Sequence, residues 1–509
     1  MRKKKKSQKK SNIEVCETNN FSNFSEKIVG FIFIFVFIVI IICSIYITTN
    51  SILFAPHRIN SNLKQKLIPN SNIFRYTLKP LTDCTIYKII ETKDGKLALV
   101  GSIRAKNVSD FASSIPNAFI AKIDLNAVEE DRVVFFRECG GSEYDFFNDI
   151  IETEDECLIA SGYTRSFDND LKKAERYGES DKGYNWILKI NPRPRQKKII
   201  FNKCYDMENG LFKKMVESNG KLFFCTAPGN YTSATSIDDI AGIYREQILF
   251  KGNIIGIDPN IENEGGIFLN RVFGNDNEFY IFHDMLKARN GNLILSGGYK
   301  SNQVERNGEH NYHGGEDGFI MEFSPNTKSV VFFQCYGCEK SDKLYRIVEC
   351  NDDGFIAVGE QLSAKNTWNT WILKTDLKNK SDYIFSKTYS ETDLKHKNGY
   401  VVNKTYSENI KLSQLQFVEN ITEDLNFILS SQLVHRKWDK MIINTLEVVN
   451  IDSNNGKLHK DRIILDSYFN NCSNLLIIKT KYLEVVVVAN LNGEFKLLKI
   501  PLNLEENNS

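Results

Sequence analysis

The chain has 509 residues, 42% of them apolar and 25% charged, and a formal net charge of +1. That balance implies no nucleic-acid or other polyelectrolyte partner. Length alone would allow about three domains, unless an internal repeat organises the chain.

Basic residues gather at the extreme N-terminus, in a tail over 1–27 that holds Arg2, Lys3, Lys4, Lys5, Lys6, Lys9, Lys10 and Lys27. The next run, Ile28–Ile47 (IVGFIFIFVFIVIIICSIYI), carries no charge over 20 residues. At a rise of about 1.5 Å per residue it spans about 30 Å, the depth of a bilayer's hydrocarbon core. A cleaved signal peptide would have a shorter apolar region, followed by a small-residue cleavage site. Ser44-Ile45-Tyr46 offers no such site, so the run is expected to stay as a signal-anchor helix in the lipid bilayer. Only Arg58, Lys64 and Lys66 follow within twenty residues. The positive-inside rule then puts the tail in the cytoplasm, and everything after Ile47, beginning with a stalk over 48–70, on the extracellular or luminal side.

From position 84 a pattern recurs: a Thr-like residue, a turn, then an apolar run ending in Gly or another small residue. It reads Thr92-Lys-Asp94-Gly95-Lys-Leu97-Ala-Leu-Val-Gly101, then Thr153-Glu-Asp155-Glu-Cys-Leu158-Ile-Ala-Ser-Gly162. Further copies start at Ala288, Cys350 and Thr422, with weaker ones at Ser218 and Thr480, so the units are about 65 residues long. Downstream in most units an aromatic residue opens a third strand, as at Phe119, Trp186, Phe319 and Trp371, and Lys122, Lys189 and Lys374 recur three residues later. A structural salt bridge or an exposed edge is the expectation for those lysines. An aromatic-rich fourth strand follows, as in Val133–Phe136 and Val330–Phe333. Short apolar or alternating runs bounded by Asp, Asn and Gly are strand-and-turn chemistry. Four strands per repeat is the signature of a propeller, which predicts an all-β, seven-bladed β-propeller over 71–509. The seventh unit has three strands and Ile73–Lys79 is an orphan before the first, so the N-terminal strand is expected to complete the last blade.

Gly140-Gly-Ser-Glu-Tyr-Asp145, with Ile150, Thr153 and Gly162-Tyr-Thr164, resembles a repeat of secreted and surface bacterial β-propeller proteins. The resemblance covers most of 85–509 and implies a propeller in an extracytoplasmic setting. It implies no activity, because function must be argued from a site.

No catalytic set, cofactor or metal site is expected. Asp145 and Asp342 share a register and read as turn or strand-end hydrogen bonders rather than as a glycosidase pair. His310 and His313, near Glu309 and Glu316, read as a solvated loop. Cys335 and Cys338 have a half-zinc spacing without a second pair. Of eleven cysteines Cys16 lies in the tail and Cys43 in the membrane run, leaving an odd nine. Cys204 and Cys335 share a register and read as small buried hydrophobes. Connections between second and third strands are long in the first four units, over 102–116, 163–183, 227–251 and 298–316. They carry Tyr163, Tyr177, Tyr231, Tyr244, Tyr299 and Tyr312, which with His310 and His313 are the candidate contact residues of a loop-bearing face. The function expected is a membrane-anchored binding, adhesion or scaffold module for a protein or glycan ligand. The alternative is a membrane-anchored glycoside-active hydrolase or lyase.

Overall fold

The computed structural model describes residues 84–389 except 105–114, 181–182, 194–197, 207–209, 228–250, 303–311, 351 and 378–382. It also describes the segments 74–77, 416–418, 426–436, 442–452, 458–465, 472–480, 484–491 and 494–501. The expected membrane run Ile28–Ile47, the tail 1–27 and the stalk 48–70 lie outside these residues. Among the described residues no helix is long and apolar enough to cross a membrane.

The described residues are all-β, with short 3-10 turns between strands, and build seven sheets. Within a sheet, neighbouring strands pair antiparallel, with one exception in sheet 2. Sheet 1, for example, runs Cys84–Glu91, Leu97–Ile103, Asn117–Ile123 and Val133–Cys139. The remaining sheets begin with Asp145–Glu152, Leu211–Ser218, Glu278–Lys287, Asp342–Glu349, Gln416–Val418 and Cys472–Lys479. Sheet 2 has a fifth strand, Glu175–Tyr177, lying parallel to its outer strand Ile199–Asp206. In sheet 7, Phe74–Thr77 pairs antiparallel with Glu494–Pro501 and supplies the fourth strand. Sheet 3 has a third strand at Gly252–Ile257, where Asn253, whose backbone N–H donates to Thr226 Oγ1, stands in place of an aromatic residue.

The sheets pack face to face through apolar clusters. Phe147, Trp186 and Leu188 of sheet 2 meet Val100 and Ile120 of sheet 1. Val486, Val488 and Leu497 of sheet 7 meet Leu99 and Phe119 on the other face of sheet 1. Similar clusters join sheets 2 and 3, 3 and 4, and 4 and 5. Burying one such Leu, Phe or Val contributes about 1.5–3 kcal/mol. Each sheet's first strand contacts that of the next, and the seventh contacts the first.

Two expectations change. The second strands do not stop at the repeat glycine: they run on to Ile103, Thr164, Ser301 and Leu362. Each glycine instead lies opposite a bulge in the first strand and an aromatic residue in the third, Gly162 facing Phe147 and Trp186. A Cβ on Gly162 would sit 2.0 Å from the Phe146 carbonyl oxygen. The small residue therefore marks a close backbone approach inside the sheet, not its edge. The consequence is that Tyr163 and Tyr299 are strand residues, 5% and 4% exposed, rather than loop contacts.

Candidate functional site

The bulges recur at one register in five consecutive first strands, and at that register the strands turn polar. The bulged residue and its successor are Tyr87-Lys88, Asn148-Asp149, Lys213-Lys214, His283-Asp284 and Tyr345-Arg346. The second member of each pair alternates in sign around the five sheets: Lys88, Asp149, Lys214, Asp284, Arg346. A bulge bends its strand and re-aims side chains, and it is favoured at barrel rims and beside functional sites.

The two carboxylates are fixed first. Asp149 Oδ2 accepts the Met215 backbone N–H at 2.7 Å, and Asp284 Oδ2 accepts that of Ile347 at 3.1 Å. Each thereby ties its strand to the next sheet and presents its other oxygen to cations. Lys88 Nζ lies 4.0 Å from Asp149 Oδ1. Lys214 Nζ and Arg346 Nη1 lie 3.7 and 3.4 Å from Asp284 Oδ1. Burial works against ionised Asp284, but Lys214 and Arg346 outweigh it and hold the carboxyl below its ordinary range. Beside them Lys213 Nζ donates to His283 Nδ1 at 3.0 Å, and the His283 ring packs edge-on against Tyr345.

These groups feel one another across a shared space, not merely along neighbouring strands. Repulsion from Lys214, two sheets away, is the largest cause pulling Lys88 down to about 7, ahead of burial, and Arg346 adds to it from the fifth sheet. Burial brings Lys213 down to about 8 and holds the His283 imidazole neutral. Four cations against two carboxylates leave a positive excess where the first strands face each other. Lys343 also acts on His283 from nearby, although its ammonium is paired with Glu316 Oε2 at 3.2 Å. A sequence signal for this collar did exist: a charged residue four positions before the Thr register, alternating in sign through five units. Attention to the loops missed it.

The residues singled out from the sequence are dispersed. Tyr163 packs on Phe146 and Tyr144, in a buried cluster with Leu211 of sheet 3. Tyr299 packs edge-on against Tyr280 and Tyr312. Tyr312 is half-buried, its hydroxyl donating to the Gly315 carbonyl at 2.8 Å, and His313 Nδ1 lies 3.0 Å from Asp317 Oδ2. Tyr177 stacks on Tyr205 at 5.1 Å beside a cavity of about 390 Å³ shared with Arg176, Glu264 and Asn270. Tyr231, Tyr244 and His310 lie outside the described residues. The insertion carrying Tyr177 is folded back on the domain. Leu171 is fully buried, and Arg176 Nη2 donates to the Leu171 carbonyl at 2.8 Å. Asp145 accepts from Gly141 N and Ser166 Oγ, both at 2.8 Å, and Asp342 accepts from Cys338 N at 2.6 Å, so both acids hold turns. Cys204 and Cys335 are buried in core clusters.

No protein-family model matches the chain, and no curated protein matches it. Solved structures give distant likenesses. A Synechocystis apocarotenoid oxygenase variant is 12% identical, over 75% of this chain and 71% of that one, with a TM-score of 0.37. A Dyadobacter fermentans protein of unknown function is 9% identical, over 84% of this chain and 99% of that one, also at 0.37. A Leishmania mexicana mannose phosphorylase is 10% identical, over 55% and 81%, at 0.26.

Proposed function

We propose that residues 71–509 form a closed seven-bladed β-propeller, anchored by Ile28–Ile47 on the extracytoplasmic side, that acts as a binding module taking its ligand on the central axis. Seven sheets, first strands in cyclic contact and a last sheet shared by both ends of the domain support the ring. The charge collar is the single observation that carries the site, because it brings five charged side chains from five sheets to one register.

The enzymatic alternative draws on Asp149 and Asp284, which share the collar. Glycoside hydrolysis needs one carboxyl that is protonated near neutral pH. Asp284 is held ionised, and Asp149 has one oxygen on a backbone N–H and the other facing Lys88. That arrangement favours holding a ligand over turning one over.

The full chain in detergent, screened on a glycan array and against chromogenic glycosides, is expected to retain a ligand without cleaving any substrate. Neutralising Lys88, Lys214 and Arg346 together should abolish retention. Turnover, or retention untouched by those changes, would overturn the reading. Protease added to intact cells should reach the repeat domain and spare the Lys-rich tail; the reverse pattern would invert the topology.

A further inference from the structure

We infer that the collar's ligand is a small oxyanion carrying two or more negative charges, seated among Lys88, Lys213, Lys214 and Arg346 with His283 as a neutral donor. The inference rests on the binding-module reading and narrows it to a chemical class.

Charge comes first. The cations outnumber Asp149 and Asp284, whose free oxygens already face Lys88 and the Lys214–Arg346 pair. In a partly desolvated space like charges repel more strongly than in water, so an unbalanced group of this kind is stabilised by an anion. Geometry gives a second, independent indication. The Lys213 ammonium donates to His283 Nδ1, so the imidazole proton sits on Nε2. His283 Nε2 is buried and has no hydrogen-bond partner among the described residues. A buried donor without an acceptor calls for one, and an oxyanion supplies it. Valence follows once an anion holds Lys88 and Lys213 protonated: the four cations then exceed Asp149 and Asp284 by two, which a dianion would balance. Glu360, accepting from Tyr345 Oη at 3.1 Å, faces Lys343 rather than these four.

The lowered lysines supply a further readout. An anion beside Lys88 and Lys213 pulls both back towards their ordinary range, so binding near pH 7.5 must take up protons.

The test is isothermal titration of the full chain in detergent at fixed ionic strength. Inorganic pyrophosphate, citrate and a sulfated disaccharide serve as polyvalent probes that separate phosphate, carboxylate and glycan-borne sulfate sources, and acetate is the monovalent control. One saturable site is expected for at least one polyvalent probe and none for acetate. Proton uptake should appear as a dependence of the heat on buffer ionisation. Lys88→Met with Lys214→Met should weaken binding at least about tenfold, while Lys172→Met on the exposed surface should change nothing. Asp284→Asn keeps an acceptor for Ile347 N–H and removes a competing charge, so it should tighten binding several-fold. A misfolded protein could not produce that gain. No saturable heat with any polyvalent probe, equal binding of acetate, or indifference to the lysine and Asp284 substitutions would overturn the oxyanion site. Retention on the glycan array would then leave the broader binding reading standing.

Discussion

The repeat glycine shows how one missing atom can organise a sheet. At Gly101, Gly162, Gly297 and Gly359 an added Cβ would lie 1.7–2.0 Å from a first-strand carbonyl oxygen. Gly162→Ala should therefore destabilise the domain by about 2–4 kcal/mol in chemical denaturation. Gly220→Ala, at φ +72° but with nothing within 4 Å, should cost about 1 kcal/mol. Equal costs would remove the bulge as the cause. Side-chain pairing along the repeat is as regular. Lys122 lies 3.2 Å from Asp94 and Lys189 2.8 Å from Asp155, and Lys374 pairs with Asp352. Sheet 4 inverts the polarity: Glu322 Oε1 accepts from Asn290 and Asn292 at 2.8 and 2.7 Å. Glu322→Lys alone should destabilise, and adding Asn290→Asp should restore about 1–2 kcal/mol in a double-mutant cycle. Additive effects would dissolve the pairing. The recurrence of these residues was plain in the sequence. The reason for the glycine was not, since a bulge is a backbone event with no side chain that encodes it.

At the scale of the element, the turns between sheets offer a comparison made by the protein itself. Gly140 and Gly337, both at positive φ, let an Asp carboxylate come close enough to cap the turn. A Cβ on Gly140 would meet Asp145 Oδ2 and Asn117 Oδ1, whereas one on Gly337 would meet Asp342 Oδ2 and Asp317 Oδ1. An amide in one junction is thus a second carboxyl in the other. Burial, with Asp342 adding to it, pushes Asp317 up to about 8, and burial pushes Asp342 up to about 6. The native state therefore holds protons that the unfolded chain releases near pH 4. Stability from these groups is complete below about pH 4 and is lost as pH climbs through 6 and 8. Asp317→Asn should stabilise the domain at pH 8 by about 1–3 kcal/mol and flatten that slope. Asn117→Asp should do the opposite at the other junction. Melting profiles across pH 4–8 test both, and an unchanged slope in Asp317→Asn would refute the proton-sharing account. Asp145 and Asp342 were legible as turn residues from their shared register. Their neighbours Asn117 and Asp317, 28 and 25 residues upstream of them, were not, because only the fold brings those distant positions together.

Across the whole molecule, periodicity carried the reading. The Thr registers located each sheet's first hairpin, and the orphan strand near 73–79 found its place beside Glu494–Pro501. Sheet 3 was faint because Asn253 stands where the aromatic opener would be, Thr226 where the register glycine would be and Ser218 where the Thr would be. An insertion such as 165–178 can bury its own leucine and become scaffold. If Phe74–Thr77 holds sheet 7 together, Tyr76→Pro, placed opposite Leu497 in the pairing, should lower the melting temperature of the entire domain. A loss confined to local hydrogen exchange near 74–77 would show that the strand is ornamental.

That same pairing sets a timetable for biosynthesis. Phe74 leaves the ribosome 420 residues before Glu494, the first residue of its partner strand. At about 5–20 residues per second the wait is about 20–80 s. Throughout it the earlier strand has an unpaired edge, and the six sheets between assemble with no closing sheet to lock them. A translation stall near the end of the message, or a frameshift within the last strand, would therefore release a chain with most of its sheets formed and a sticky edge exposed. Such products are expected to be the species that quality-control proteases meet.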